Sequence, residues 1–201
     1  MQYVIKLFFI LLISGTALVR ADELPLGSNI PLADNELQEI DGNTITLNGS
    51  MGKSGLLIIF SCNTCPWVKA WNDRYVSITK KYQPLGINVV ALNSNEADRD
   101  GDESLSAMRK FGKKNDYDFS YAVDKNSELA SAFGASRTPH IYLFNAQGVL
   151  VYRGAIDDNA RDVEAVKEPY LATAIDQLLA GEEISTTSTK ALGCSIKFAN
   201  N

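Results

Sequence analysis

The segment GLLIIFSCNTCP, residues 55–66, decides the fold of this chain. Its first six residues, Gly55 to Phe60, form a continuous apolar run, which is typical of a strand buried on both faces of a sheet. After Cys65 the apolar residues recur every three or four positions, and this spacing predicts an amphipathic helix. The apolar face of that helix comprises Val68, Trp71, Tyr75, Ile78 and Tyr82. A buried strand that runs directly into a helix is the basic unit of α/β folds, and sites form where such strands end.

The rest of the chain alternates strands with helices and closes with a hairpin and a last helix. The hydrophobic patterns predict strands at 44–47, 87–92, 119–123, 140–144 and 149–152, and helices around 105–111, 129–133 and 169–180. This order predicts an α/β fold in which helices flank a central mixed β-sheet.

The N-terminus predicts export. Lys6 precedes the apolar stretch Leu7–Ile13, and Val19–Ala21 supplies a small residue for cleavage, so residues 1–21 are interpreted as a signal peptide. An uncleaved anchor needs about 20 apolar residues, and this stretch is shorter and interrupted. We therefore expect a periplasmic or secreted protein that is not stably inserted in a membrane after cleavage.

The remaining chain is acidic and long enough for one domain. Loss of the two basic residues of the signal peptide takes the formal net charge from −5 to −7, which argues against a nucleic-acid partner. We divide the chain after the signal peptide into an N-terminal leader at 22–40, a domain at 41–181, and a Ser/Thr-rich tail at 182–201 that carries Cys194.

Cys62 and Cys65 lie in the predicted turn between strand and helix. The thiolate is the reactive form of cysteine, and the positive end of the helix dipole stabilises it. A second thiol nearby can then resolve a mixed disulfide, so the pattern predicts thiol–disulfide exchange. The spacing leaves open a static disulfide, or a zinc site with Cys194 and His140 as further ligands. We expect neither a metal nor another cofactor.

Three segments resemble the thioredoxin-like branch of the AhpC/TSA (redoxin) family. They are FSCNTCPW at 60–67, RTPH at 137–140 and GCSIK at 193–197, and the similarity extends over roughly residues 41–198. The resemblance implies a thioredoxin-like fold. It also implies that the Thr138–Pro139 bond is cis and that this loop lies against the active cysteines, where it presents the substrate.

Relative to that family, the cysteine pair is displaced by one helical turn. In thioredoxins and related exported thiol reductases the first active cysteine lies five residues after the strand's phenylalanine; counted from Phe60 this is Cys65, and Val68 takes the place of the second cysteine. Peroxiredoxins have a proline after the peroxidatic cysteine, as Pro66 here, and a threonine where this chain has Cys62. The resemblance implies that Cys65 attacks and Cys62 resolves, with the reverse order left open.

Four further residues are candidates for parts of the site. Cys194 is a candidate resolving thiol, with pairing to another chain or a free thiol as alternatives. His140, the only histidine, is a candidate proton carrier, although a hydrogen-bonded strand histidine without a catalytic task is the favoured interpretation. Arg137 lies close in sequence to the position of the peroxiredoxin arginine without being clearly equivalent. Trp67 is a candidate to line a partner groove, although packing is favoured for it.

The predicted function is disulfide exchange with protein or small-molecule disulfides, coupled to a separate electron donor or acceptor. A thiol peroxidase that uses Cys65 against peroxides is the alternative enzyme. A non-catalytic thioredoxin-fold binding module, with a fixed disulfide between Cys62 and Cys65, is the alternative without turnover.

Overall fold

A computed structural model describes residues 22–199. The predicted signal peptide, residues 1–21, lies outside the described residues. Within residues 22–199, none of the helices has the length and apolar character that crossing a membrane requires.

Strands and helices alternate along the described chain, as the sequence predicts. The strands are β1 (Leu37–Gln38), β2 (Thr44–Ile45), β3 (Gly55–Ser61), β4 (Ile87–Asn93), β5 (Ser120–Val123), β6 (Arg137–Thr138), β7 (His140–Asn145), β8 (Leu150–Gly154) and β9 (Cys194–Ser195). The α-helices are α1 (Pro66–Tyr82), α2 (Leu105–Lys114), α3 (Glu128–Phe133) and α4 (Tyr170–Ala180).

The central sheet is mixed and has five strands in the order β5-β4-β3-β7-β8. β3, β4 and β5 run parallel, whereas β7 is antiparallel to β3 and forms a hairpin with β8. The predicted central mixed sheet flanked by helices is therefore confirmed. β3 lies in the middle of it, so the residues that follow β3 emerge at the centre of one sheet edge.

Both faces of β3 are buried, which explains its continuous apolar run. Leu57 and Ile59 belong to a core cluster that α1, α2 and α4 cover. Leu56 and Ile58 alternate with them and point to the other face, where α3 packs. The helices thus form a layer on each side of the sheet.

Helix α1 begins directly after the second cysteine. Cys65 is the N-cap residue, with extended backbone angles, and Pro66 is the first helical residue. The predicted apolar face of this helix is buried at all five positions. At the other end of the chain, α4 ends at Gly181, whose φ of 71° is a left-handed conformation that glycine adopts without strain.

The predicted leader and tail both pack on the domain. In the leader, Leu37 is buried and the backbone N–H of Leu24 donates to the carbonyl of Phe133 at 2.9 Å. In the tail, residues 187–189 exchange backbone hydrogen bonds with Arg153 on β8, the edge strand of the sheet. Further on, β9 pairs with β6. The tail therefore covers backbone groups that an edge strand would otherwise expose.

Candidate functional site

The two cysteines flank the turn at the carboxyl end of β3. Cys62 follows the last residue of β3, and Cys65 caps α1. The sulfur of Cys65 is placed to accept a hydrogen bond from the backbone N–H of Val68 in the first helical turn. Pro66 has no backbone N–H group, so the first helical position adds no unsatisfied donor. The local sequence thus puts one cysteine at the positive end of a helix.

Thr138 contacts both cysteines from the other side of the site. Its carbonyl oxygen lies 3.0 Å from Sγ of Cys65, which donates to it as a thiol. Its hydroxyl Oγ1 lies 3.3 Å from Sγ of Cys62. The peptide bond between Thr138 and Pro139 is cis. The structure therefore brings together four of the residues that the sequence singled out.

The pKa values of the two thiols are shifted in opposite directions. Hydrogen bonding from Cys62 is the main cause that lowers the pKa of Cys65, and the thiol and backbone N–H of Cys194 add to it; burial opposes them. The pKa of Cys62 is raised by its hydrogen bond to Cys65, by burial, and by the negative charge of Glu103. These opposite shifts favour Cys65 over Cys62 as the thiol of the pair that loses its proton first.

A buried carboxylate holds the turn between the cysteines. Glu103 is fully buried and accepts hydrogen bonds from the backbone N–H groups of Asn63 at 2.8 Å and Thr64 at 3.2 Å, and from the Thr64 hydroxyl at 2.6 Å. Asn93 donates to Glu103 at 2.7 Å and to the Tyr121 hydroxyl at 3.0 Å, which donates in turn to Asn63 at 2.9 Å. This network fixes the backbone that separates the two sulfurs.

The local sequence pattern does not predict this hydrogen-bond network. Its one signal was positional: Asn93 ends β4, the parallel neighbour of β3, and side chains at the carboxyl ends of adjacent parallel strands meet at one edge. Glu103 belongs to the polar segment between β4 and α2, where nothing in the local pattern distinguishes a buried acid from a solvated one.

Cys194 also reaches the site. β9 pairs with β6 so that Cys194 lies directly opposite Thr138. Burial and the nearby Cys65 thiolate raise the pKa of Cys194 to about 11. Arg137 is exposed and directs its guanidinium to the carbonyl of Gly193 and the hydroxyl of Ser195, both at 3.3 Å. Arg137 therefore holds the C-terminal segment in place and makes no hydrogen bond to a cysteine.

His140 lies away from the thiols. Its ring stacks on Tyr142, at 4.7 Å between centroids, and Tyr142 belongs to the core cluster on the sheet face opposite the cluster that contains both cysteines. The favoured interpretation of a hydrogen-bonded histidine is wrong, because neither ring nitrogen has a hydrogen-bond partner among the described residues. Burial lowers the pKa of His140 to about 3, so the ring is neutral at physiological pH.

Trp67 is 39% exposed beside the helix N-terminus. Its ring packs on Trp71 with centroids 5.7 Å apart, and Trp71 is buried. The packing predicted for Trp67 thus covers one side of the ring, while the other side faces solvent next to the cysteines. Among residues 22–199, no group of three or more His, Cys, Asp or Glu side chains is arranged to hold a metal ion.

A cysteine pair at the N-terminus of a helix after a central strand, faced by a cis-proline loop, defines a thioredoxin-fold redox protein. The chain belongs to the AhpC/TSA family, whose model matches residues 27–153.

Known proteins extend this assignment. A solved structure described as an uncharacterised conserved protein from Geobacillus kaustophilus is 33% identical, covers 88% of this chain and 94% of its own, and superposes with a TM-score of 0.81. The thiol-disulfide oxidoreductase ResA of Bacillus thuringiensis subsp. konkukian (strain 97-27) is 24% identical over 66% of this chain and 70% of its own length. A thioredoxin-like protein solved in its oxidised form shares the fold, with a TM-score of 0.59 at 19% identity over 79% of this chain and 97% of its own.

Proposed function

We propose that this chain is an exported thiol–disulfide oxidoreductase in which Cys65 attacks and Cys62 resolves. The observation that carries the proposal is the asymmetry of the two thiols. Cys65 caps a helix and its pKa is lowered, whereas the pKa of Cys62 is raised. Since the thiolate is the nucleophile, the first attack falls to Cys65.

The hydrogen bond between Cys62 and Cys65 also determines when Cys62 can attack in the second step. The Cys65 thiolate attacks one sulfur of a substrate disulfide, forms a mixed disulfide, and releases the other sulfur as a thiolate that takes up a proton. Once the Cys65 sulfur is bonded to the substrate it carries no charge, and the largest cause of the raised Cys62 pKa is gone. Cys62 then loses its proton more readily, attacks Sγ of Cys65 and releases the second substrate thiolate.

Two surface features support a protein disulfide as the substrate. The loop at Thr138 and Pro139 borders both sulfurs and offers its backbone beside the reacting atoms. The exposed part of Trp67 supplies apolar surface at the same helix end. We assign the loop to substrate binding and Trp67 to the docking of the partner. Export rests on the predicted signal peptide, and the named activity of the ResA relative supports the reaction class.

The contacts of Arg137 argue against the peroxidase alternative. A thiol peroxidase needs a cation near the attacking thiolate, because a cation stabilises the charge that develops on the peroxide. Arg137 is instead bound to Gly193 and Ser195. Cys62 also takes the place of the threonine that the peroxiredoxin pattern would require. Disulfide exchange is therefore the function that this geometry supports best.

Trapping the mixed disulfide tests the assignment. With 5,5′-dithiobis(2-nitrobenzoate) as the substrate, the Cys62→Ser/Cys194→Ser variant should form a covalent adduct at Cys65 rapidly at pH 6, because Cys65 keeps the stabilisation of the helix end. The matched Cys65→Ser/Cys194→Ser variant should react at Cys62 at least about tenfold more slowly. Equal rates for the two variants, or a faster reaction at Cys62, would contradict the assignment.

A further inference from the structure

We propose that Cys194 is a second resolving thiol, which closes a disulfide with Cys65 in competition with Cys62. This inference rests on the proposed function, because it concerns the fate of the mixed disulfide that Cys65 forms. It makes the site a set of three thiols in which Cys65 is the shared member.

The pairing of β6 and β9 brings Cys194 to the site. Cys194 lies opposite Thr138 in the register of that pair, and Sγ of Cys65 lies 3.0 Å from the Thr138 carbonyl. Two cysteines from distant parts of the chain therefore converge on one residue. Cys194 packs against the core cluster that contains Cys65, and hydrogen bonding from its thiol and backbone N–H is among the causes that lower the pKa of Cys65.

The segment that carries Cys194 is anchored at several points. We call residues 192–197 the C-terminal strap. The N–H of Ile196 donates to the Ser136 carbonyl at 3.1 Å, and the N–H of Lys197 donates to the side chain of Asn95 at 2.9 Å. The side chain of Ile196 is buried. Cys194 is thus held in position by the hydrogen bonds and the buried anchor around it.

Gly193 shows how closely the strap approaches the loop. A Cβ atom at this position would lie 2.2 Å from the Thr138 carbonyl oxygen, a separation that no side chain tolerates. The absence of a side chain at Gly193 therefore permits the register in which Cys194 faces Thr138. This close approach is a second, independent feature that serves the placement of Cys194.

Exposure distinguishes the two resolving thiols. Cys62 is 1% exposed and Cys65 is 3% exposed, whereas Cys194 is partly exposed. Leu192 and Cys194 of the strap pack against the cluster that contains the buried pair. The strap therefore contributes to the burial of Cys65, and Cys194 is the more accessible of the two resolving thiols.

Resolution by Cys194 needs no reagent other than the substrate disulfide and solvent. The Cys194 thiol loses its proton to solvent as its sulfur attacks Sγ of Cys65. The Cys65–substrate bond breaks, the substrate leaves as a thiolate, and a Cys65–Cys194 disulfide forms. Two electrons pass from the protein to the substrate. Attack by Cys62 on Cys65 would then transfer the disulfide to the buried pair and regenerate the Cys194 thiol, with no net change in oxidation state.

The number of thionitrobenzoate anions released per molecule of 5,5′-dithiobis(2-nitrobenzoate) tests the proposal. The Cys62→Ser variant contains only Cys65 and Cys194 as thiols. At sub-stoichiometric reagent and low protein concentration, each reagent molecule should release about two thionitrobenzoate anions, because Cys194 resolves the first adduct. Peptide mapping should then find an intramolecular Cys65–Cys194 disulfide. The Cys62→Ser/Cys194→Ser variant should release about one anion per reagent and retain the adduct.

The outcomes separate this inference from the proposed function. If the Cys62→Ser variant retains the adduct at Cys65 while Cys194 stays a free thiol, the proposal that Cys194 is a second resolving thiol is refuted. The same holds if this variant forms only disulfides between two chains. If Cys194→Ser meanwhile forms the Cys62–Cys65 disulfide at the wild-type rate, the proposed function stands without it. A wild-type protein that exchanges with no disulfide refutes the proposed function itself. Thr186→Ala, at an exposed site of the tail outside the strap, should behave as the wild type.

Discussion

The backbone N–H of Asn63 donates a 2.8 Å hydrogen bond to the side chain of Glu103, 40 residues further along the chain. Asn63 lies between the two cysteines, so this contact ties the geometry of the pair to the loop that precedes α2. Glu103 touches neither sulfur through a hydrogen bond. Its negative charge nevertheless raises the pKa of Cys62. One carboxylate therefore both positions the turn and adds to the raised pKa of the resolving thiol.

We predict that Glu103→Gln destabilises the protein and lowers the pKa of Cys62. The amide would offer one acceptor oxygen where the carboxylate offers two, and its NH₂ group would face backbone donors. Leaving a buried donor unsatisfied costs about 1–3 kcal/mol, so urea unfolding should show a loss of that size. Removal of the negative charge should lower the pKa of Cys62.

The pKa of Cys62 is measured from the pH dependence of iodoacetamide labelling in Cys65→Ser/Cys194→Ser, where Cys62 is the only thiol. Glu128→Gln, at an exposed site, is the matched control and should change neither quantity. An unchanged Cys62 pKa in Glu103→Gln would show that the carboxylate has only a structural role.

A second prediction concerns the pH dependence of Cys65. Its pKa is lowered, mainly by the hydrogen bond from Cys62 and further by Cys194. Labelling of Cys65 by iodoacetamide should therefore persist at pH values at which an ordinary thiol is protonated and unreactive. Cys62→Ala and Cys194→Ala should each shift the profile to higher pH, with the larger shift for Cys62→Ala. Mass spectrometry of the labelled peptides assigns each rate to its thiol, and an unshifted profile in Cys62→Ala would contradict the hydrogen-bond explanation.

Local patterns predicted the fold well because its main elements depend on neighbouring residues. The run from Gly55 to Phe60 is buried on both faces, and the change of period at Cys65 marks the start of α1. The position of Cys65 at the helix end follows from the same boundary. These features depend on residues only a few positions apart, so the sequence pattern contains them.

The rest of the site depends on contacts that are distant in sequence. Glu103 meets Asn63 only because β3 and β4 are neighbours in the sheet, and no spacing rule expresses that. The tail was predicted as a separate segment from its Ser/Thr content. A single buried side chain, Ile196, and backbone hydrogen bonds are enough to hold its end on the domain. Cys194 was predicted as a candidate, but only the fold shows what it faces.

A third prediction uses the buried histidine. Burial and the positive charge of Arg153 lower the pKa of folded His140 to about 3, from an ordinary value of 6.5. Glu23, 3.8 Å from the ring, is paired with Arg153 at 3.4 Å. The unfolded chain therefore binds a proton between pH 6.5 and 3 that the folded chain does not bind. Stability falls as the pH is lowered through this range, by at most about 1.4 kcal/mol per pH unit from this group.

His140→Phe should remove that part of the pH dependence, since it keeps a ring against Tyr142 but cannot be protonated. Urea unfolding of both proteins at pH 7 and pH 4 gives the comparison. The free energy of unfolding of the wild type should fall by about 2–3 kcal/mol more than that of the variant. Parallel losses in the two proteins would mean that His140 is protonated in the folded state. Disulfide exchange at pH 7 should be unaffected, because the neutral ring lies on the other face of the sheet.

The last prediction concerns Gly193→Ala. The added Cβ would lie 2.2 Å from the carbonyl oxygen of Thr138, so the strap must move away from β6. This displacement should separate Cys194 from Cys65 while the turn between Cys62 and Cys65, held by Glu103, keeps its geometry. Oxidation should therefore still give the Cys62–Cys65 disulfide, whereas a Cys62→Ser/Gly193→Ala variant should accumulate the mixed disulfide at Cys65.

Gly101→Ala is the matched control, since its Cβ would have only an ordinary contact, 3.6 Å from the Asp98 carbonyl. Exposure of Cys65 should also respond: in Cys62→Ser/Cys194→Ser, the further change Gly193→Ala should speed the reaction of Cys65 with a bulky disulfide, because the strap no longer covers it. If the Cys65–Cys194 disulfide forms equally fast with Gly193→Ala and with Gly193, the β6–β9 register does not determine whether Cys194 can reach Cys65. The close approach at Gly193 thus links one backbone contact to both the resolution and the shielding of Cys65.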